Sequence, residues 1–219
     1  MLVAFVYNPP TAPWLDIVYR DNDIAVVNKP SGLLSVPGRE VIHRDSVTLR
    51  LMSVLPTALI VHRLDMDTSG IMLFALNKTA QSGISRQFQQ RTTQKKYLAK
   101  ILGHPTEQSG SVDLPLICDW PNRPLQMVDF EVGKPSLTHY RVVEQQAESS
   151  LVELTPITGR SHQLRVHMQQ LGHPILGDRF YGKPEAHPMA PRLCLHAQSL
   201  SINHPITNEP MTFTAPCPF

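Results

Sequence analysis

Val61-His62-Arg63-Leu64-Asp65-Met66-Asp67-Thr68-Ser69-Gly70 runs directly into Ile71-Met72-Leu73-Phe74-Ala75-Leu76. A dense polar block thus abuts an apolar strand pattern. Asp, Thr, Ser and Gly favour local hydrogen bonds and unusual backbone angles, so a structural turn is one reading of the block. Asp65-Met66-Asp67 allows a second. Residues i and i+2 of an extended segment share a face, and two carboxylates on one face can hold a divalent ion. On that reading the chain is a metal-dependent sugar-transferring enzyme, although no third oxygen ligand is evident.

The surrounding elements follow from local chemistry. Ile17–Tyr19 and Ile24–Asn28 are β-prone and joined by Arg20-Asp21-Asn22-Asp23, which predicts a hairpin. Lys29–Gly38, with two prolines and two glycines, reads as loop. Ser46–Leu55 carries Val47 and Leu51 on one side and meets a stop at Pro56, which predicts a helix. Lys78–Gln90 predicts another, with Ala80, Ile84 and Phe88 spaced i, i+4. Lys96–Leu102 reads as a strand ended by Gly103. Val112–Pro135 is rich in proline and turn residues. Thr138–Glu144 and Leu151–Leu154 read as a second hairpin. Ser161 is placed to N-cap a helix reaching about Leu171, with Gly172 as its stop. From Pro174 the pattern is loops and short strands, such as Leu193–Ala197 and Met211–Thr214.

Strands outnumber helices without alternating regularly with them. The expected fold is α+β: a single catalytic domain over residues 14–219, with a mixed, mostly antiparallel central sheet flanked by helices and long loops. Asn8–Pro13 is incompatible with helix or central strand, so residues 1–13 read as an extended N-terminal arm.

The chain has 219 residues, 42% of them hydrophobic, which is enough for a real core. The net charge of +2 permits nucleic-acid binding without demanding it, because a local basic cleft matters more than the total. Cys118, Cys194 and Cys217 are far apart and odd in number, which argues against a disulfide framework or a zinc site. Small side chains in a reducing cytoplasm are the expectation. Met1–Tyr7 lacks the basic and cleavage features of a signal peptide, and no apolar run reaches membrane length. Without a heptad or an isologous stripe, a monomer is expected.

A second polar cluster lies at Thr158-Gly159-Arg160-Ser161-His162-Gln163-Leu164-Arg165-Val166-His167. In a helix starting at Ser161, His162, Arg165 and Gln169 share one face. A solvated face is the ordinary fate of such charges. His162 and His167 are five apart, which is poor metal spacing, so they are expected to pack or hydrogen-bond.

Six blocks in order change the weight of these readings. His62-Arg63-Leu64-Asp65 with Thr68-Ser69-Gly70 resembles the signature of the RluA family of pseudouridine synthases. Val27–Gly32, Lys96-Tyr97, Gly159–His167, Gly172–Asp178 and Leu195-His196-Ala197 resemble further blocks of that family. Asp113–Pro124 and Met189–Leu193 resemble one short, single-domain member. The resemblance implies isomerisation of uridine to pseudouridine in structured RNA, with action on both 23S rRNA and the tRNA anticodon stem-loop. It implies Asp65 as catalytic carboxylate, with Tyr97 over the base or acting as a base, and Arg165 paired with Asp65 through a two-pronged contact. Arg63 would replace the flipped base in the stack. His62, Lys96 and Arg160, with Lys95 and Lys100, would face the RNA. Asp67 falls where the family need not be acidic and takes no catalytic role.

This isomerisation consumes no electrons or energy source, so no metal or cofactor is expected. A non-catalytic RNA-binding or chaperone protein is the alternative outside catalysis.

Overall fold

The computed structural model describes residues 6–182 and 184–219. Packing divides the chain into two units: Met1–Thr92 with Ser201–Ala215, and Thr93–Leu200 with Pro216–Phe219. Each unit is therefore discontinuous in sequence.

The first unit opens on the expected arm. Residues 1–5 of it lie outside the described residues, and residues 6–11 have no regular structure. The arm is nonetheless tied down. Tyr7 Oη donates to the Asp45 carbonyl at 2.7 Å and accepts from Leu34 N at 3.0 Å. The buried Arg50 guanidinium donates to the Pro10 and Trp14 carbonyls at 2.9 and 2.7 Å.

Strand β1 (Ile17–Arg20) and β2 (Ile24–Lys29) form the predicted hairpin. Asp21 closes its turn by accepting from the Asp23 and Ile24 N–H groups, both at 2.8 Å. Helix α1 (Val47–Val54) starts at Ser46, whose side chain accepts from Leu49 N. The short β3 (Leu59–Ile60) and β4 (Ser69–Ala75) follow, and both β2 and β3 pair antiparallel with β4. Ile24–Val27 and Ile71–Ala75 are buried, so this pairing carries the unit's core. Truncating a fully buried side chain such as Phe74 would cost roughly 3–5 kcal/mol. Helix α2 (Lys78–Gln90) has the predicted boundaries, capped by Asn77 accepting from Ala80 N, with Ala80 and Ile84 buried.

The second unit starts with β5 (Gln94–Leu102) and β6 (Ser109–Asp113). Where the sequence shows only turn chemistry, β7 (Leu116–Cys118) and β8 (Gln126–Val128) form a separate two-stranded ribbon. Strands this short are masked by Pro115, Pro121 and Pro124. Then come β9 (Leu137–Gln145), β10 (Ser149–Pro156), α3 (Gln163–Gln170) and β11 (Leu195–Asn203). β5, β10, β9 and β6 lie side by side in that order, each pair antiparallel. The chain returns along β11 to the first unit, where β12 (Pro210–Thr214) pairs with β11, and its last four residues, Pro216–Phe219, belong to the second unit. The fold is α+β with mostly antiparallel strands, as the sequence pattern indicates.

Several strand ends differ by a few residues, and one helix start differs for a reason of its own: the cap expected at Ser161 falls one residue later. His162 takes the N-cap position in a left-handed conformation, φ 53°, and offers no capping side-chain bond. The ordering group is Gln163. Its Oε1 accepts from Thr158 Oγ1 at 2.7 Å and Arg160 N at 3.0 Å, while its Nε2 donates to the Leu137 carbonyl and Thr138 Oγ1. A buried amide making four bonds outcompetes an exposed serine for control of the turn.

Candidate active site

In the first unit, the loop that carries Asp65 is held by its neighbours' backbone. Lys29 is 1% exposed, and its ammonium donates to the carbonyls of Pro30, Leu33 and Met66 at 2.9, 2.7 and 2.7 Å. Ser31 Oγ donates to the Asp67 carbonyl at 2.7 Å, and Gly32 N donates to that of Met66 at 2.9 Å. Ser35 Oγ donates to the Leu64 carbonyl at 2.6 Å and accepts from Leu64 N at 3.1 Å. Residues 64, 66 and 67 are thus pinned on both sides of Asp65, whose side chain stays half-buried. Such a loop can present a carboxylate at a fixed place with little ordering left to do. A purely local turn would not need a buried lysine and two serines from another segment.

His62 and Arg63, adjacent in sequence, differ in placement. His62 Nε2 accepts from Leu73 N at 2.9 Å, and the ring stacks on Phe88 with centroids 4.8 Å apart. This joins the loop to β4 and α2, a positioning contact that the RNA-facing expectation did not include. Arg63 is exposed, as a side chain that enters RNA must be.

The metal reading of Asp65 and Asp67 finds no support in geometry. Among the described residues, the group of three ligand-type side chains close enough to share an ion is Asp21, Asp23 and His204, without Asp65 or Asp67. Even that group reads as hydrogen bonding. His204 Nδ1 accepts from Ile206 N and Thr207 N, which leaves the proton on Nε2, 3.2 Å from Asp21 Oδ2.

In the second unit, Arg165 is 2% exposed and lies in a built socket, not on a solvated helix face. Nε and Nη2 each donate to Asp178, to Oδ2 and Oδ1, at 2.7 Å. Asp178 is itself 1% exposed, and its Oδ1 also accepts from Phe180 N and Tyr181 N. Burial alone raises the Asp178 carboxyl. The Arg165 hydrogen bond and charge, with the two N–H groups, outweigh burial and hold it below its ordinary value. The rings of Phe180 and Tyr181 lie 5.1 and 5.2 Å from the guanidinium carbon. Asp178 closes one of the recognised blocks, but its bond to Arg165 runs from within α3 to the loop beyond it, thirteen positions on, and carries no local sequence signal.

The histidines hydrogen-bond as expected. His162 Nδ1 and Tyr181 Oη share a hydrogen bond of 2.6 Å, and Tyr181 Oη also accepts from Gln126 N. His167 contacts Thr138 Oγ1 and the Leu114 carbonyl, and burial lowers its pKa.

Strand alternation sorts the remaining candidates. Tyr97 pairs in register with the buried Leu154 and is half-buried. Lys96, one residue away, faces the opposite side of the sheet and pairs with Glu153 at 3.3 Å. Lys95 shares the Tyr97 face. A methyl group built on Gly159 would lie 3.8 Å from Lys95 Nζ, so the ammonium sits over the bare backbone beside Arg160. Arg160 itself holds its loop, with N donating to Gln163 and Nε to the Pro135 carbonyl. Of the cations expected at RNA, Lys95 is better placed than Lys96 to act with Tyr97.

A buried lysine orders a half-buried aspartate's loop, and the helix of a clamped arginine contributes Leu164 and Met168 to the core against which Tyr97 packs. The family model for RNA pseudouridylate synthase matches residues 23–170, so it takes in both the Asp65 loop and the Arg165 helix. This chain belongs to the RNA pseudouridylate synthase family. A synthase from Escherichia coli K12, named dual-specificity RNA pseudouridine synthase RluA, is 60% identical over 97% of this chain and 98% of its own. A synthase of the same name from Vibrio cholerae is 54% identical over 97% of this chain and 87% of its own. Among solved structures, human RNA pseudouridylate synthase domain containing 1 superposes with a TM-score of 0.78 at 33% identity, covering 100% of this chain and 87% of that one. Human RNA pseudouridylate synthase domain containing 4 gives 0.75 at 27%, covering 93% and 88%.

Proposed function

We propose that this synthase converts uridines of both 23S rRNA and the tRNA anticodon stem-loop to pseudouridine, with Asp65 as its catalytic carboxylate. The observation that carries the reading is the pinned Asp65 loop, lying within the family match and held by Lys29, Ser31 and Ser35. The dual-specificity name of the relative that is 60% identical supports the choice of targets.

The chemistry sets the roles. The bond between C1′ and N1 of uracil breaks, the base turns, and C5 bonds to C1′. The proton leaves C5, N1 gains one, and no electrons are exchanged. Asp65 serves C1′ as nucleophile, as stabiliser of developing positive charge, or in forming an elimination intermediate, comparable to glycosidase carboxylates. Arg165 supplies the positive charge that favours the ionised carboxylate. Tyr97 stacks on the uracil or accepts a proton from the sugar. Extruding the nucleotide costs a few kcal/mol, which stacking and insertion of Arg63 offset. Lys95 and Arg160 meet phosphate, so binding weakens as salt rises.

The family match crosses the boundary between the two units, which supports residues 14–219 acting as one catalytic domain. No helix among the described residues is long and apolar enough to cross a membrane. A cytoplasmic monomer is the proposed working form.

The test is pseudouridine mapping on transcribed tRNA and 23S rRNA fragments, in EDTA, with wild-type and Asp65→Asn protein. Site-specific conversion in both RNAs by wild type alone is expected. Conversion by Asp65→Asn at the wild-type rate would remove the catalytic assignment. Conversion of only one RNA would remove dual action.

A further inference from the structure

The ribbon of β7 and β8, with the turn after it, exposes apolar side chains in an unusual concentration. Trp120 is 63% exposed, Met127 42%, Phe130 78% and Val132 66%. Single exposed apolar residues are ordinary, but a cluster marks an interaction surface. Its chemistry is specific. Arg123 lies over the Trp120 indole with its guanidinium carbon 4.8 Å from the ring centroid. An indole beside an arginine plane can take a flat, electron-rich base by stacking and an adjoining phosphate by charge.

The platform is built in advance. Trp120–Asn122 form a 3-10 turn. The Asn122 side chain donates to both oxygens of Asp119 at 3.1 and 3.0 Å, and Asp119 N donates to the Leu125 carbonyl at 2.9 Å. Two acids here are engaged locally, Asp119 by Asn122 and Asp129 by the N–H groups of Glu131 and Val132, while Glu131 is exposed in the turn. Its position is also fixed. Gln126 N donates to Tyr181 Oη at 2.8 Å, Tyr181 bonds His162, and the Tyr181 ring lies against Arg165. The ribbon is therefore fastened to the socket of Arg165 within the same unit.

We infer that Trp120 and Arg123 form a stacking site for an unpaired base of the substrate RNA, separate from the uridine being modified. The inference rests on the synthase reading and names which feature of the RNA that enzyme grips. In a duplex the base faces are covered by their neighbours, so the site selects loops and bulges. An RNA loop suits the site better than a protein, because it brings π-faces and phosphates together.

The chain has two tryptophans, Trp14 and Trp120, so Trp14→Phe leaves Trp120 as the reporting indole. Its emission is titrated with a stem-loop carrying an unpaired loop and with a blunt duplex of equal composition. Saturable quenching by the stem-loop and none by the duplex is expected. Trp120→Ala should raise KM for the stem-loop by roughly tenfold, the scale of one lost base stack, with kcat within about twofold. Trp120→Phe should recover part of the loss. An unchanged KM in Trp120→Ala, or stem-loop binding that leaves Trp120 emission unaltered, would overturn the inference. Equal quenching by the duplex would do so too. If the wild type converts no uridine, the synthase reading fails, while the titration still decides whether Trp120 stacks on unpaired RNA.

Discussion

Asp65 and Arg165 are held in opposite ways. The Asp65 loop is anchored through the backbone of residues 64, 66 and 67, and its own side chain stays half-buried. Arg165 is anchored through its own side chain, which the Asp178 carboxylate and two rings enclose. On the proposed role of Asp65, the first arrangement lets the neighbours' backbone carry the loop while the carboxylate is kept for chemistry. The second joins chemistry and stability, because the cation is itself part of the core. Substitutions should therefore divide cleanly into those that silence the enzyme and those that unfold it.

The largest expected effect tests the first half. Asp65→Asn should lower single-turnover conversion by about 10⁴-fold, the scale for loss of a reacting carboxylate or nucleophile. Its urea midpoint should match wild type. A rate within tenfold of wild type would break the assignment, and a shifted midpoint would break the separation of chemistry from stability.

Asp178→Ala tests the other half. It removes the carboxylate that accepts two hydrogen bonds from the buried Arg165, which should cost about 3–5 kcal/mol in equilibrium urea unfolding. Removing both charges with Arg165→Met and Asp178→Leu together should cost less than Asp178→Ala alone, since much of the penalty comes from stripping a buried charge of this carboxylate. Equal costs would show that the socket acts by shape. Lys29→Met should come next, at about 3 kcal/mol, because three carbonyls lose the ammonium, that of Met66 keeping Gly32 N as a donor. Unlike Asp65→Asn, it should lower both stability and rate, since it acts on the loop and not on the carboxylate.

A smaller effect depends on pH. Burial depresses the His167 pKa below its ordinary 6.5, so the unfolded chain binds the proton more readily. The stabilising contribution is complete above pH 6.5 and is lost as pH falls from there through the folded-state value. The slope in that window approaches about 1.4 kcal/mol per pH unit for one proton. Unfolding of His167→Gln over the same range should be flatter, and an equal slope would place the titration elsewhere.

The same contrast explains what was legible. The Asp65 region could be read because its chemistry is contiguous: polar block, then apolar strand, then a helix whose cap and stripe sit at fixed spacing, so that α2 matches to the residue. The arginine socket could not. Asp178 reaches Arg165 across a loop, and Tyr181 meets Gln126 across 55 positions. Lys29 looked like part of a loop because its three acceptors are main-chain carbonyls, which leave no trace in side-chain types. The β7–β8 ribbon was hidden because three-residue strands show no period.

The helix starts offer the finest comparison, with the same substitution at two serines. Both precede a helical pattern and both satisfy the N-cap preference. Ser46 is fully buried and accepts from Leu49 N at 3.3 Å, so it caps α1. Ser161 is exposed and makes no cap, because Gln163 already orders the turn and His162 occupies the cap position. Ser46→Ala should therefore cost about 1 kcal/mol, the usual worth of a cap, and Ser161→Ala should fall within about 0.5 kcal/mol of wild type. A cost at Ser161 equal to that at Ser46 would mean that its hydroxyl supports the left-handed turn at His162, and the start of α3 would then rest on two groups instead of one.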